Sequence, residues 1–150
     1  MTKALKSTLM LAAIDGATLL AGCASPPPPE HHPTYLHALS DLRAARWLIE
    51  HRPGDWAQTV DEVESVRQID AAINDIKQAA IDDGKNLNDH PPVDERSDHR
   101  GRIHVAIDYM KKARGDIERE EDNGWAKSPR IHAIGHIDNA IHAARRVFND

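Results

Sequence analysis

The chain has little of the chemistry on which many small proteins depend, with one cysteine among 150 residues and only three Trp, two Tyr and one Phe. A lone cysteine excludes an intrachain disulfide, and the absence of a CxxCH motif excludes covalently attached haem. So few aromatic rings predict a core of aliphatic side chains. The formal net charge of −5 argues against nucleic acid as a partner, because phosphate contacts need an excess of Lys and Arg.

The N-terminal segment has the pattern of an export signal. Lys3 and Lys6 give it a positive start, and the apolar stretch that follows is too short to span a bilayer as a helix. We therefore expect residues 1–22 to be a signal peptide that is absent from the mature protein.

The sequence LAGC at residues 20–23 resembles the lipobox of bacterial lipoproteins. The resemblance implies that the thiol of Cys23 is diacylated and that the chain is cut directly before it. Because Ala24 rather than an aspartate follows the cysteine, the resemblance also implies an outer-membrane anchor facing the periplasm. Ordinary cleavage after Ala24 is the alternative, and it would leave a soluble periplasmic protein.

Residues 23–33 then read as a tether, since consecutive prolines hold an extended polyproline helix that cannot pack into a core. The remaining residues, 34–150, are enough for one small domain. Apolar residues recur there at three- and four-residue steps in four segments, with Val63 in the second stripe and Ile131 in the fourth, and no segment alternates as a strand does. The sequence therefore predicts an all-α, antiparallel four-helix bundle.

The two halves of this domain resemble each other when the first is shifted by 68 residues, which indicates a duplicated helical hairpin. The hairpins would span 34–84 and 101–150, with a polar, proline-broken crossover over 85–100. We expect the second and fourth helices to be parallel, the first and third to run antiparallel to them, and the halves to be related by a pseudo-twofold rotation.

Two charged residues recur at equivalent positions of the halves, as Arg46 and Arg114 and as Asp70 and Asp138. Each lies near the edge of its apolar stripe, where a charged head emerges at the seam between helices. We expect at least one Arg to be bonded to an Asp there, because arginine's planar fork can hold a carboxylate in two-point contact while its stem packs on aliphatic neighbours.

Histidine pairs suggest a metal site. His132 and His136 stand four apart on the fourth helix, as do His104 and Asp108 on the third, and each pair shares a solvent-facing side that could chelate Cu, Zn or Ni. The stretch HIDNAIHAA resembles the repeat of small periplasmic metal-binding proteins built from His-bearing helical hairpins. The resemblance implies divalent-metal binding, whereas a set of exposed histidines that aid solubility is the simpler interpretation.

No serine or cysteine stands in a recognisable nucleophile motif, so we expect a protein that is not an enzyme. The first functional hypothesis is an envelope-anchored binding or structural module with a protein partner, because Leu36 and Trp47 share an outer face of the first helix. Trp47 would otherwise cover the tether or the crossover. The second hypothesis is a periplasmic metal-binding or buffering protein that uses surface histidines.

Overall fold

The computed structural model of the protein describes residues 33–51, 57–79, 83–94, 96–119 and 126–149. The expected signal peptide, Cys23 and all of the tether except Pro33 lie outside the described residues, so the expectations about them remain predictions. Among the described residues, no helix combines the length and apolar character needed to cross a membrane.

Four α-helices make up the regular secondary structure of the described residues, which contain no strand. They are α1 (Pro33–Glu50), α2 (Val60–Ala79), α3 (His99–Arg119) and α4 (Lys127–Arg146). Their buried faces enclose one aliphatic core. The predicted all-α four-helix bundle is confirmed, although α3 begins at His99, inside the segment assigned to the crossover.

The start of α2 shows how local sequence sets a helix end. The backbone N–H of Thr59 donates to Glu62 Oε2 at 2.7 Å, and the backbone N–H of Glu62 donates to Thr59 Oγ1 at 3.1 Å. This reciprocal capping box satisfies two donors that the first turn of a helix leaves without an intrahelical acceptor.

The end of α1 is capped from another helix. α1 has no basic residue in its last turn, and the buried guanidinium of Arg102 in α3 supplies the cation by donating from Nη2 to the Leu48 carbonyl at 2.8 Å. A positive charge at this end offsets the partial negative charge of the last carbonyls. The contact also places the beginning of α3 beside the end of α1.

The helix directions differ from those expected. The Arg102 contact makes α1 and α3 antiparallel, and Arg146 near the end of α4 donates from Nε to Asp61 at the start of α2 at 2.7 Å, which makes α2 and α4 antiparallel. The prediction that α2 and α4 are parallel is therefore wrong. The crossover is long enough to carry the chain back to the end of the bundle where α2 began, so α3 runs in the same direction as α2.

Each helix packs on two neighbours, and α1 lies diagonal to α4. The most extensive contacts join the two hairpins, α2 to α4 and α1 to α3. Gln68 and His136, which are equivalent residues 68 apart, touch each other across the α2–α4 contact, with 2.6 Å between Gln68 Oε1 and His136 Nδ1. Equivalent residues meet in this way when a twofold axis passes between them. The contact therefore agrees with the predicted pseudo-twofold relation.

Small residues decide which face of each helix is buried. The hydroxyl of Ser65 in α2 donates to the backbone carbonyl of Ala140 in α4 at 3.0 Å, an approach that a large side chain at either position would prevent. Val63 and Ile131, expected in the core stripes, are instead 52% and 55% exposed. The buried faces of α2 and α4 are therefore centred on their alanines and not on Val63 and Ile131.

Candidate functional site

The duplicated charges form equivalent ion pairs in both hairpins. Arg46 Nε donates to Asp70 Oδ1 at 2.8 Å, and Arg114 Nε donates to Asp138 Oδ1 at 2.8 Å. The predicted Arg–Asp pairing is thus present twice, at the seam between the two helices of each hairpin. The Arg46 pair is the more enclosed, with 12% of the Arg46 side chain exposed against 34% for Arg114.

Each arginine contacts its aspartate through one hydrogen bond from Nε rather than through the two-point contact that its fork allows, because each guanidinium is divided between two carboxylates. The terminal nitrogens of Arg46 bond to Glu50, and Nη1 of Arg114 lies 2.7 Å from Glu118, one turn along the same helix in each case. Glu50 and Glu118 are also equivalent residues. These charges join the two helices of each hairpin.

The most enclosed ion pair was missed by sequence reasoning. Arg43 in α1 is 1% exposed and donates two hydrogen bonds, of 2.7 and 2.8 Å, to the carboxylate of Asp83. Burial would raise the pKa of Asp83, but the hydrogen bonds from Arg43 and from the Lys85 N–H, together with the Arg43 charge, lower it. The pair ties the segment that follows α2 to α1, and only the fold brings residues 40 positions apart together.

A second buried carboxylate lies at the opposite end of the crossover. Glu62 is fully buried, and its Oε1 lies 2.6 Å from Nε2 of His99 in the first turn of α3. Burial would raise the pKa of Glu62, but hydrogen bonds from Thr59 and His99 lower it. The same glutamate thus caps α2 and anchors the start of α3.

His136 lies in the α2–α4 seam, whereas the sequence predicts a solvent-facing side chain there. Gln68 directs its amide nitrogen to Glu64 at 2.7 Å, so its oxygen accepts from His136 Nδ1. The other ring nitrogen, Nε2, is then 3.6 Å from Asp75 Oδ2. The predicted solvent-facing position of His136 is wrong because the buried face of α4 is formed by Ala133, Ile137, Ala140, Ile141 and Ala144, and His136 lies half-buried at the edge of that face.

We expect the two histidines to differ when each is replaced by alanine. His136→Ala should lower the free energy of unfolding by about 1 kcal/mol, since it removes a hydrogen bond across the seam, whereas His132→Ala on the exposed face should change it by less than about 0.5 kcal/mol. Chemical denaturation of the two variants measures both. Equal effects would contradict the structural distinction.

His104 and Asp108 are both exposed, as predicted, but each has a neighbour of its own. The His104 ring stacks on Phe148 with 4.3 Å between centroids, and Asp108 accepts from Lys111 at 3.0 Å. Among the described residues, no three His, Cys, Asp or Glu side chains are arranged to hold a metal ion.

The expected interaction surface on α1 is partly covered. The Trp47 ring is sandwiched between His51, with 4.2 Å between centroids, and His90 of the crossover, at 4.5 Å. Trp47 is therefore not an open docking residue, and the alternative that it covers the crossover fits this contact. Leu36 remains 42% exposed, in accord with its predicted outer position.

A groove between α1 and α3 is the best candidate for a binding site. The groove is a depression of about 360 Å³ bounded by the two helices and by Pro91 of the crossover. The other residues that line it are His37, Ser40, Asp41, Tyr109 and Lys112. A separate, largely apolar depression of about 260 Å³ lies on α3 alone and is lined by Val105, Asp108, Tyr109 and Lys112.

Asp41 is the most unusual group in this groove. Its side chain is 7% exposed, and Lys112 Nζ donates to Oδ1 at 3.1 Å and lies 2.9 Å from Oδ2. Oδ2 is buried and accepts no well-aligned hydrogen bond. Burial raises the pKa of Asp41, and the hydrogen bond and charge of Lys112 only partly offset that effect.

Sequence reasoning did not find this groove. Asp41 follows Ser40 in an amphipathic helix and reads as an ordinary surface acid, and Lys112 is one of two adjacent lysines. No local signal marks either residue, because the groove exists only where two distant helices run antiparallel. No protein-family model, curated protein or solved structure matches the chain.

Proposed function

We propose that this protein is an envelope-anchored lipoprotein whose helical bundle has a non-enzymatic binding role. The observation that carries the binding role is the α1–α3 groove, a concave surface where the buried carboxylate of Asp41 is paired with the exposed ammonium of Lys112. Active or binding sites are commonly concave and mostly apolar, with a few convergent polar groups. The lipobox supplies the anchor, and the tether joins it directly to α1.

Several ion pairs join different elements of the bundle, among them Arg43 with Asp83, Arg46 with Asp70 and Arg146 with Asp61. Such pairs favour a rigid scaffold, which suits a non-enzymatic binding or structural role.

The anchor is tested by metabolic labelling with an alkyne fatty acid in a bacterial host. We expect the full chain to carry the label and to sediment with membranes, and Cys23→Ala to lose both properties, since the chain has no other thiol to acylate. Separation of inner and outer membranes on a density gradient should place the labelled protein in the outer membrane.

Ser25→Ala is the matched control, because it changes a neighbouring small polar residue without removing the thiol. Its labelling should equal that of the unaltered chain. A Cys23→Ala protein that still carries the fatty acid, or an unaltered chain released in soluble form, would contradict the proposed anchor.

Divalent-metal binding is the alternative function, favoured by one observation. Nδ1 of His136 bonds to Gln68, Nε2 lies 3.6 Å from Asp75 Oδ2, and His132 is one turn away on α4. Imidazole nitrogen and carboxylate oxygen are both zinc ligands. Titration of the full chain with zinc or copper should then show micromolar binding that His132→Ala and His136→Ala each weaken at least tenfold, and flat curves would reject it.

A further inference from the structure

Three polar side chains that line the α1–α3 groove are open to a ligand. They are His37 and Ser40 of α1 and Tyr109 of α3, and each is at least partly exposed. Within the described part of the chain, none of the three side chains takes part in a hydrogen bond. A hydroxyl group donates and accepts, and a neutral imidazole has one donor and one acceptor nitrogen. The groove therefore offers both donors and acceptors to a ligand.

The charged groups around the groove are already paired within the protein. Lys112 Nζ lies 3.1 Å from Oδ1 and 2.9 Å from Oδ2 of Asp41, and Asp108 on the same face of α3 pairs with Lys111. A charged ligand would have to compete with one of these internal partners, so the groove favours a ligand without charge. Asp41 uses at most two of the three N–H groups of an ammonium, which leaves at least one N–H of Lys112 for a neutral acceptor.

The ring of Tyr109 borders a second depression beside the groove. This depression, of about 260 Å³, is largely apolar and lies on α3, where Val105 contributes an aliphatic surface. Tyr109 and Lys112 line both the groove and this depression. A ligand that lies on the Tyr109 ring thus has polar groups on one side and an apolar surface on the other.

A saccharide has the chemical features that this surface matches. Its hydroxyl groups donate and accept around the edge of the sugar ring, and the C–H groups on the ring faces pack on an aromatic side chain. Burying such carbon is favourable by roughly 25 cal/mol for each Å² removed from water. An acetylamino substituent adds a methyl group suited to the apolar depression and carries no charge. The groove volume of about 360 Å³ lies within the range of small-molecule sites.

We propose that the α1–α3 groove binds an uncharged, N-acetylated saccharide. One sugar ring lies on the Tyr109 ring, its hydroxyl groups bond to His37, Ser40 and Lys112, and its acetyl methyl group lies against Val105. This inference deepens the proposed binding role and rests on it. Lipid attachment is tested separately by fatty-acid labelling, so a labelled chain that binds no saccharide rejects the ligand and leaves the anchor standing.

Saturation-transfer difference NMR of the purified full chain with N,N′-diacetylchitobiose tests the proposal. We expect saturable binding at millimolar concentration, with the acetyl methyl protons among the most strongly saturated. Cellobiose lacks the acetylamino groups and should bind at least tenfold more weakly. The deacetylated disaccharide carries ammonium groups in their place and should also bind at least tenfold more weakly, because its charge is repelled by Lys112.

Variants connect the binding to the groove. Tyr109→Leu removes the ring but keeps an apolar side chain, and it should weaken binding of N,N′-diacetylchitobiose at least tenfold. Ser40→Ala should weaken it about fivefold, the equivalent of one hydrogen bond. Ser128→Ala, at the exposed start of α4, is the matched control and should bind as the unaltered chain does. Because Ser40 makes no hydrogen bond within the described part of the chain, its variant keeps the test valid even where Tyr109→Leu fails to fold.

Three results would overturn the proposal. They are the absence of N,N′-diacetylchitobiose binding at millimolar concentration, equal binding of cellobiose or of the deacetylated disaccharide, and binding by Ser40→Ala that equals that of Ser128→Ala.

Discussion

Replacing Asp83 by alanine is expected to lower the free energy of unfolding by about 3–5 kcal/mol, because it leaves the guanidinium of Arg43 buried without its carboxylate. Arg43 is 1% exposed and the Asp83 side chain 8% exposed, so water cannot readily replace the lost partner. Equilibrium unfolding in urea at neutral pH measures the change. Asp108→Ala, which removes an exposed carboxylate paired with the exposed Lys111, is the control and should change stability by less than about 0.5 kcal/mol.

The same pair gives this prediction two further checks. Replacing Arg43 by Met and Asp83 by Leu together should recover much of the loss, since an apolar pair of similar volume leaves no buried charge. The lowered pKa of Asp83 means that its contribution is complete above the ordinary aspartate pKa and is lost as pH falls through the folded-state value. Stability of Asp83→Ala should therefore fall less steeply below about pH 4 than that of the unaltered chain. Equal losses for Asp83→Ala and Asp108→Ala would contradict the buried pair.

Ile137→Ala and Ile131→Ala are expected to differ by about 3 kcal/mol although both remove the same atoms from the same helix. Ile137 is fully buried, and truncating a buried isoleucine to alanine typically costs about 2–5 kcal/mol, while Ile131 is 55% exposed and its truncation should cost about 0.5 kcal/mol or less. The change in helix propensity is identical in the two variants. Their difference, measured by chemical denaturation, therefore isolates burial.

The first hairpin offers an independent repeat of this comparison. Ile69 is equivalent to Ile137 and fully buried, and Val63 is equivalent to Ile131 and 52% exposed. Ile69→Ala should again be the costly change and Val63→Ala the mild one. Similar costs for Ile131→Ala and Ile137→Ala would mean that Ile131 is buried in the core, as the sequence predicts, and would contradict the packing of α2 against α4.

Much of the fold follows from local pattern. The capping box of Thr59 and Glu62 needs only residues three apart, and the pairing of Arg46 with Asp70 needs only a hairpin and two seam positions. Such features depend on helix periodicity and short connections, both of which can be read along the chain. The duplicated pairing of Arg114 with Asp138 follows from the same reasoning applied to the second half.

The candidate site could not be predicted in the same way. Asp41 and Lys112 belong to different hairpins, and their contact depends on how the hairpins stack, which wheel positions do not specify. The incorrect expectation of parallel α2 and α4 would have separated them. His136 lies nearer the α2–α4 seam than the sequence predicted for a related reason, since the side of α4 that faces α2 is set by Ala133 and Ala140.

By itself the sequence determined the four helices, the hairpin duplication and the charged seams, because each depends on spacings of three to four residues or on a repeat of 68. Only the tertiary structure decided the antiparallel stacking of the hairpins, the burial of Arg43 with Asp83 and the groove at Asp41. The physical reason is that the two hairpins could bury similar apolar area in more than one orientation. Close approach at small residues such as Ser65 and Ala140, together with the path of the crossover, selects one of them.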